Sequence, residues 1–110
     1  MSDEGALAAL IWCPFPDGPA ARKAAAALLD ARLIACANLV RGVEALFAWR
    51  GEREESRETG ALFKTTAAHL DEAMRRLAEL HPYETPAITG WTVRADAGTL
   101  AWLQEETGGT

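Results

Sequence analysis

The most concentrated chemistry in the sequence lies in residues 81–86, which read His-Pro-Tyr-Glu-Thr-Pro. This stretch holds one of the two histidines, the only tyrosine and a carboxylate. Imidazole is a ligand that copper and zinc favour, so His81 is the first candidate for a metal ligand. Cys13 could add a soft thiolate, and Glu84 or a residue of another subunit could complete the set. The residue types therefore suggest a site for a divalent metal, with copper favoured.

Cys13 and the two histidines also have ordinary structural explanations. His81 stands where a helical pattern ends, so its ring could simply interact with the last carbonyls of that helix. Cys13 ends an apolar segment and could be a small buried side chain. His69 falls in the first turn of the same predicted helix, where a positive charge is unfavourable, so we expect it to be neutral and exposed. Both interpretations of Cys13 and His81 remain open from the sequence.

A second group of residues could line a cleft for a small anionic ligand. Lys64 interrupts an apolar strand pattern, where a charge needs a partner or a pocket. The alternative is a lysine on the solvent face of a half-buried strand. The other predicted members of this ligand cleft are Trp49, Glu54, Glu58 and Tyr83. Because aromatic residues are enriched at interfaces, Trp49 could equally lie between subunits.

Catalytic motifs are missing from the sequence. It contains no G-x-S-x-G, no phosphate-binding loop and no H-E-x-x-H. With two histidines and no paired-carboxylate motif, no array of nucleophile and base can be assembled. We therefore predict that the protein is not an enzyme.

Length and composition predict a single domain over residues 1–110, with flexible ends at 1–5 and 107–110. The net charge of −5 and the lack of a basic cluster argue against nucleic-acid binding. No apolar stretch approaches the ~20 residues of a membrane span. The acidic start lacks the basic region of a signal peptide, so we expect a cytoplasmic protein with Cys13 and Cys36 as free thiols.

The elements that must position these residues follow the order βαββαβ plus a terminal helix. Apolar runs and turn residues predict strands at 6–13, 36–49, 52–66 and 87–94, with a bulge at Gly42 and a turn at Arg50-Gly51. Helices are predicted from Asp17, as its cap, to about Leu33, from 67 to 80, and from the cap Asp96 to about Glu106. The stripes predicted to face the core are Ala21, Ala25, Leu28, Leu29 and Leu33, then Leu70, Ala73, Met74, Leu77 and Leu80.

This order predicts a ferredoxin-like α+β fold, with both main helices on one face of an antiparallel sheet. The second and third strands would form a long hairpin arm that projects past the body of the domain. Such an arm is marginal alone in water, so a neighbouring subunit is its expected support. The alternative is a floppy charged loop.

Taken together, several collinear pieces resemble the CutA divalent-cation tolerance family. The pieces are Cys13-Pro14, residues 33–38, Trp49-Arg50-Gly51, Lys64-Thr65-Thr66, residues 81–86 and Trp102-Leu103. The resemblance implies a ferredoxin-like subunit in a tight homotrimer, similar in assembly to the PII signalling proteins. It also implies a link to divalent-metal tolerance and copper binding, and it brings no catalytic reaction.

The sequence departs from the family pattern at one position of the implied metal site. Some family members carry two consecutive histidines before Pro-Tyr and use both, with the cysteine of the first strand, as copper ligands. Here Leu80 stands at the first of those positions, so only Cys13 and His81 match. The leading hypothesis is a homotrimer that binds a metal ion, and the alternative is a PII-like signalling module that binds a small anion at intersubunit clefts.

Overall fold

The structure is a computed structural model that describes residues 7–108. Its elements are β1 (Ala8–Phe15), α1 (Gly18–Asp30), β2 (Cys36–Trp49), β3 (Glu52–Thr66), a 3-10 turn (Ala67–His69), α2 (Leu70–Leu80), β4 (Thr89–Val93) and α3 (Ala97–Glu106). This order confirms the predicted βαββαβ arrangement with a terminal helix. The predicted flexible end at 1–5 lies outside the described residues, as do residues 109–110.

The four strands form one antiparallel sheet in the order β2-β3-β1-β4. Successive side chains of a strand point to opposite faces, so the register sorts the sheet into two sides. Ile11, Cys13 and Phe63 lie on the inner side and pack with α1 and α2 into the core. The opposite side, which we call the outer face, carries Leu10, Trp12, Val40, Leu62, Lys64 and Trp91.

Helix α1 begins as predicted and ends early. Asp17 Oδ1 accepts a hydrogen bond from the Ala20 N–H at 2.9 Å, which confirms the cap. The prediction that the helix runs to Leu33 is wrong, because Arg32 adopts a positive φ of 58°. The N–H groups of Arg32 and Leu33 then close the helix end on the carbonyls of Leu29 and Leu28, respectively.

The inner stripe of α1 also differs from the prediction. Ala21, Ala24, Ala25 and Leu28 are buried, which is the spacing of one helix face. Leu29 lies one residue further round and is 43% exposed, so its assignment to the core was wrong. The predicted stripe of α2 is confirmed, because Ala73 and Leu77 are buried and its other members pack against them.

The arm is a regular hairpin rather than a floppy loop. Strand pairing continues from Val43 opposite Glu58 to Trp49 opposite Glu52. The two turn residues, Arg50 and Gly51, have φ angles of 51° and 80°, as the favoured two-residue hairpin turn requires. The predicted bulge is confirmed, because the register shifts between Val40 and Val43 and Gly42 has a φ of 74°.

Strand β1 ends two residues later than predicted, at Phe15, and β4 is shorter than predicted. β1 pairs with β3 as far as Phe15 opposite Thr59, whereas its ladder with β4 ends at Trp12 opposite Thr89. One edge of β1 is therefore free of strand pairing beyond Trp12. Pro14 lacks an N–H, so it is tolerated at this edge.

The described part of the C-terminal end is fixed to the body of the domain. Asp96 accepts a hydrogen bond from the Thr99 N–H at 2.9 Å, which confirms the cap of α3, and Thr99 lowers the pKa of Asp96. His69 Nδ1 lies 2.8 Å from Thr66 Oγ1, and its Nε2 contacts the Gly108 carbonyl. His69 is half-buried, so its predicted exposure was wrong.

Over residues 7–108, every helix is too short or too polar to cross a membrane.

Candidate functional site

His81 lies at the junction between α2 and the loop that leads to β4. Its N–H closes the last turn of α2 on the Leu77 carbonyl, and its own backbone is extended because Pro82 follows. The side chain is only 7% exposed, and its ring stacks on Phe15 with 4.4 Å between centroids. The candidate ligand therefore points into the domain rather than toward solvent.

Both ring nitrogens of His81 are engaged in hydrogen bonds. Nδ1 accepts from the Tyr83 N–H at 3.1 Å, so it carries no hydrogen. Nε2 lies 2.8 Å from the Pro14 carbonyl, which can only accept, so Nε2 carries the hydrogen. The network assigns the neutral ring in this tautomer. The ring thus contacts β1 and not the last carbonyls of α2. The prediction that His81 interacts with the end of its own helix through its ring was therefore wrong.

Cys13 is fully buried, and its thiol donates to the Pro14 carbonyl with Sγ 3.6 Å from the oxygen. Burial, and then the negative charge of Glu58, raise the pKa of Cys13 to about 12. The thiolate is the form that binds metals, so Cys13 is a poor ligand in this state.

The three predicted metal ligands do not form a ready site within one subunit. Glu84 is exposed in the loop, while Cys13 and His81 are buried and hydrogen-bonded. Within residues 7–108, no three His, Cys, Asp or Glu side chains lie close enough together to hold a metal ion. The residues as arranged therefore do not fit a resident metal without movement or a further subunit.

A cleft of about 500 Å³ separates the arm from the loop of residues 81–86. It brings together four of the five predicted cleft residues, Trp49, Glu54, Glu58 and Tyr83. Glu84, predicted as a metal ligand, lines it as well. Lys64 lies elsewhere, because the register places it opposite Leu10 and Cys36 near the far end of β3.

Tyr83 and Glu58 form the polar centre of this cleft. The Tyr83 hydroxyl donates to Glu58 Oε2 at 3.0 Å, and Glu58 is only 9% exposed. Desolvation, followed by the hydrogen bond and charge of Glu58, raises the pKa of Tyr83 to about 12. The phenol therefore keeps its proton at ordinary pH and acts as the donor.

Sequence reasoning missed three cleft residues on the arm and one backbone acceptor. Phe47, Glu55 and Ser56 also line the cleft, and the Ser56 Oγ is buried without a hydrogen-bond partner. Side chains alternate along a strand, so Ser56 lies on the same side of β3 as Glu54 and Glu58. This alternation could have predicted that Ser56 lines the cleft. The Pro14 carbonyl accepts hydrogen bonds from both His81 and Cys13. No residue type or spacing in the sequence predicts this role for a backbone carbonyl.

The strand order, with α1 and α2 on one side of an antiparallel sheet, defines a ferredoxin-like α+β protein with an added terminal helix. Residues 9–106 match the sequence profile of the family described as CutA1 divalent ion tolerance protein. The chain belongs to this family, which confirms the resemblance inferred from its motifs.

Individual relatives agree with this assignment. The divalent-cation tolerance protein CutA of Pyrococcus horikoshii is 43% identical over 103 residues, which cover 89% of this chain and 96% of the relative. The solved CutA1 of Thermus thermophilus matches with a TM-score of 0.86 and 34% identity over 92% of this chain and 99% of that one. A solved structure from Archaeoglobus fulgidus, described as a periplasmic divalent cation tolerance protein CutA, matches with a TM-score of 0.85 and 27% identity over 90% and 97%.

Proposed function

We propose that the protein acts in tolerance of, or response to, divalent metal ions, as a homotrimer without catalytic activity. The observation that carries the proposal is the match of residues 9–106, almost the whole chain, to a family described by divalent ion tolerance. Deleting the gene from its host should lower the concentration of copper or another divalent ion that inhibits growth. Unchanged sensitivity to a panel of divalent ions would count against this function.

For the metal itself we propose copper, with Cys13, His81 and Glu84 as ligands. Binding requires His81 to release either the Pro14 carbonyl or the Tyr83 N–H, and Cys13 to lose its proton. Copper affinity should therefore be modest and should rise with pH. A copper titration of the wild type against His81→Ala tests the site, with His69→Ala as the control for the other histidine. Equal affinities in all three proteins would remove His81 as a ligand.

The trimer is supported by the apolar character of the outer face. Trp91 is 41% exposed and Val40 47% exposed there, beside half-buried Leu10, Trp12 and Leu62. Exposed large apolar side chains grouped on one face are typical of a protein interface. Light scattering at micromolar concentration should give the mass of three subunits. The mass of one subunit would contradict the proposal.

A second candidate function is a PII-like signalling module that binds a small anion between subunits. The observation that favours it is that Lys64 lies on the outer face and pairs with no carboxylate of residues 7–108 within 4.0 Å. Anionic metabolites should then raise the melting temperature of the wild type but not of Lys64→Ala. A metabolite panel without any shift would count against it.

For location we propose the cytoplasm. Cys13 and Cys36 are both free thiols, which suits a reducing compartment. The Archaeoglobus relative is described as periplasmic, which argues for the other location. Fractionation of cells that express the tagged full chain tests the proposal, and recovery in the periplasmic fraction would overturn it.

A further inference from the structure

The charged residues that line the cleft between the arm and residues 81–86 are all acidic. Glu54, Glu55, Glu58 and Glu84 line it, and no Lys, Arg or His is among its lining residues within the described chain. Tyr83 adds a hydroxyl that is committed to Glu58. A small anion would be repelled from this surface, so the cleft selects for a cation.

Two groups in the cleft are incompletely satisfied, and both favour the same kind of ligand. The Ser56 Oγ is buried and has no hydrogen-bond partner. Glu58 is more than nine-tenths buried, and no cation of residues 7–108 lies within ion-pair distance of it. A buried carboxylate without a countercharge is costly, and one hydrogen bond from Tyr83 compensates only part of that cost. A ligand with positive charge and N–H donors would satisfy both groups.

The apolar walls of the cleft suit an organic cation. Phe47, Trp49 and Tyr83 are each about 40% exposed, so large parts of their rings remain uncovered. The faces of such rings attract cations. The Arg50 guanidinium already lies 5.4 Å from the centre of the Trp49 ring, so a cation is accommodated at this end of the arm.

The dimensions of the cleft exclude a bare metal ion as the best occupant. Within the described chain, its carboxylates are too far apart for three of them to hold one ion. Its volume of about 500 Å³ falls in the range of small-molecule pockets. We propose that this cleft binds an aliphatic di- or polyamine, whose separated ammonium groups pair with Glu58 and Glu54 while its methylene chain lies against the aromatic rings.

The proposal does not rest on the metal-tolerance function, because the ammonium groups pair with Glu54 and Glu58, and neither is a proposed copper ligand. Isothermal titration calorimetry of the wild-type oligomer with cadaverine, and separately with spermidine, tests it directly. We expect saturable binding of at least one amine. Glu54→Gln should weaken that binding about tenfold, because it replaces a charge-assisted hydrogen bond with a neutral one. Glu54 is exposed on the arm, so the variant should fold normally.

Two further variants separate a specific site from general attraction to an acidic protein. Glu58→Gln removes the buried charge and should weaken binding at least as much as Glu54→Gln. Glu105→Gln removes the same charge from α3, outside the cleft, and should leave the affinity unchanged. Equal weakening by Glu105→Gln and Glu54→Gln would overturn the proposal, because the attraction would then follow net charge alone.

Two other results would also overturn it. The first is the absence of measurable heat with either amine at millimolar concentration. The second is amine binding that lowers the oligomer mass seen by light scattering, because the natural occupant of the cleft would then be a Lys or Arg side chain of a second copy of this chain. Unchanged mass together with saturable binding supports a free amine as the ligand.

Discussion

The Tyr83 hydroxyl donates to Glu58 Oε2 across 3.0 Å, although the two residues are 25 positions apart in the sequence. Tyr83 belongs to the loop after α2, and Glu58 lies in β3 where the arm leaves the body of the sheet. This one bond therefore links the loop to the root of the arm, and it holds together the two walls of the cleft.

The first prediction concerns the ionisation of Tyr83. Because it is the only tyrosine, the ultraviolet absorbance of tyrosinate reports on this residue alone. The pKa in the folded protein should be about 12, above the ordinary value of 10.0. Glu58→Gln removes the charge and should lower the pKa toward its ordinary value. A titration midpoint near 10 in the wild type would contradict the hydrogen bond.

The second prediction is the pH dependence of stability that follows from this shift. A phenol whose pKa is raised by folding contributes stability below pH 10, and this contribution is lost as the pH rises from 10 to about 12. Urea unfolding of the wild type should show that loss, and Tyr83→Phe should lack this component. At pH 7, Tyr83→Phe should cost about 1 kcal/mol, because Glu58 loses its donor. If the free energy of unfolding changed with pH in the same way in both proteins, the raised pKa would not belong to Tyr83.

The third prediction separates the two thiols. A thiol-reactive disulfide reagent at pH 8 should modify Cys36 in the native protein and leave Cys13 intact, because Cys13 is fully buried and its pKa is raised to about 12. Both should react in denaturant. Cys36→Ser is the matched control, and it should abolish the fast native reaction. Rapid labelling of Cys13 in that variant would show that the core opens easily.

The fourth prediction concerns the close approach of Trp12 to Gly60 on the outer face. A Cβ atom at position 60 would lie 2.1 Å from Trp12 Cη2, so Gly60→Ala must displace the indole ring. We expect a loss of about 1–3 kcal/mol in the free energy of unfolding. Trp12→Leu should remove much of that extra cost, so the double-mutant cycle should be non-additive. Additive effects would mean that the alanine is accommodated in another way.

Elements that depend on local pattern were predictable from the sequence. The cap Asp17, the bulge at Gly42 and the turn at Arg50-Gly51 each follow from residue types with strong conformational preferences. The end of α1 did not follow, because Arg32 takes a left-handed conformation that a sequence motif would assign to glycine. Its guanidinium offsets this by donating to the carbonyls of Glu105 and Glu106 at the end of α3, which no local pattern reveals.

The candidate cleft was only partly predictable, and the reason is strand register. Trp49 and Glu54 lie near the turn, so their proximity follows from the hairpin alone. Whether Lys64 joins them depends on where the loop of residues 81–86 crosses β3. His81 at the start of this loop hydrogen-bonds to the Pro14 carbonyl, in the part of β1 that has no β4 partner. The charge of the cleft was misjudged for the same reason, since Lys64 was the only cation assigned to it.

The bulge at Gly42 reverses which side of the sheet the odd-numbered residues of β2 face. Up to Leu39, odd-numbered side chains lie on the inner side, because Leu39 is opposite Ala61 of the core. From Val43 onward, odd-numbered side chains lie on the other side, because Val43 is opposite Glu58. The bulge absorbs the extra residue, so Phe47 and Trp49 lie on the side of the cleft although Leu39, which is also odd-numbered, packs against the core. Deleting Gly42 would remove the bulge and leave the side chains of the arm on their present sides. Deleting one residue between Val43 and Trp49 would instead move the side chains between the deletion and the turn to the opposite side of the hairpin.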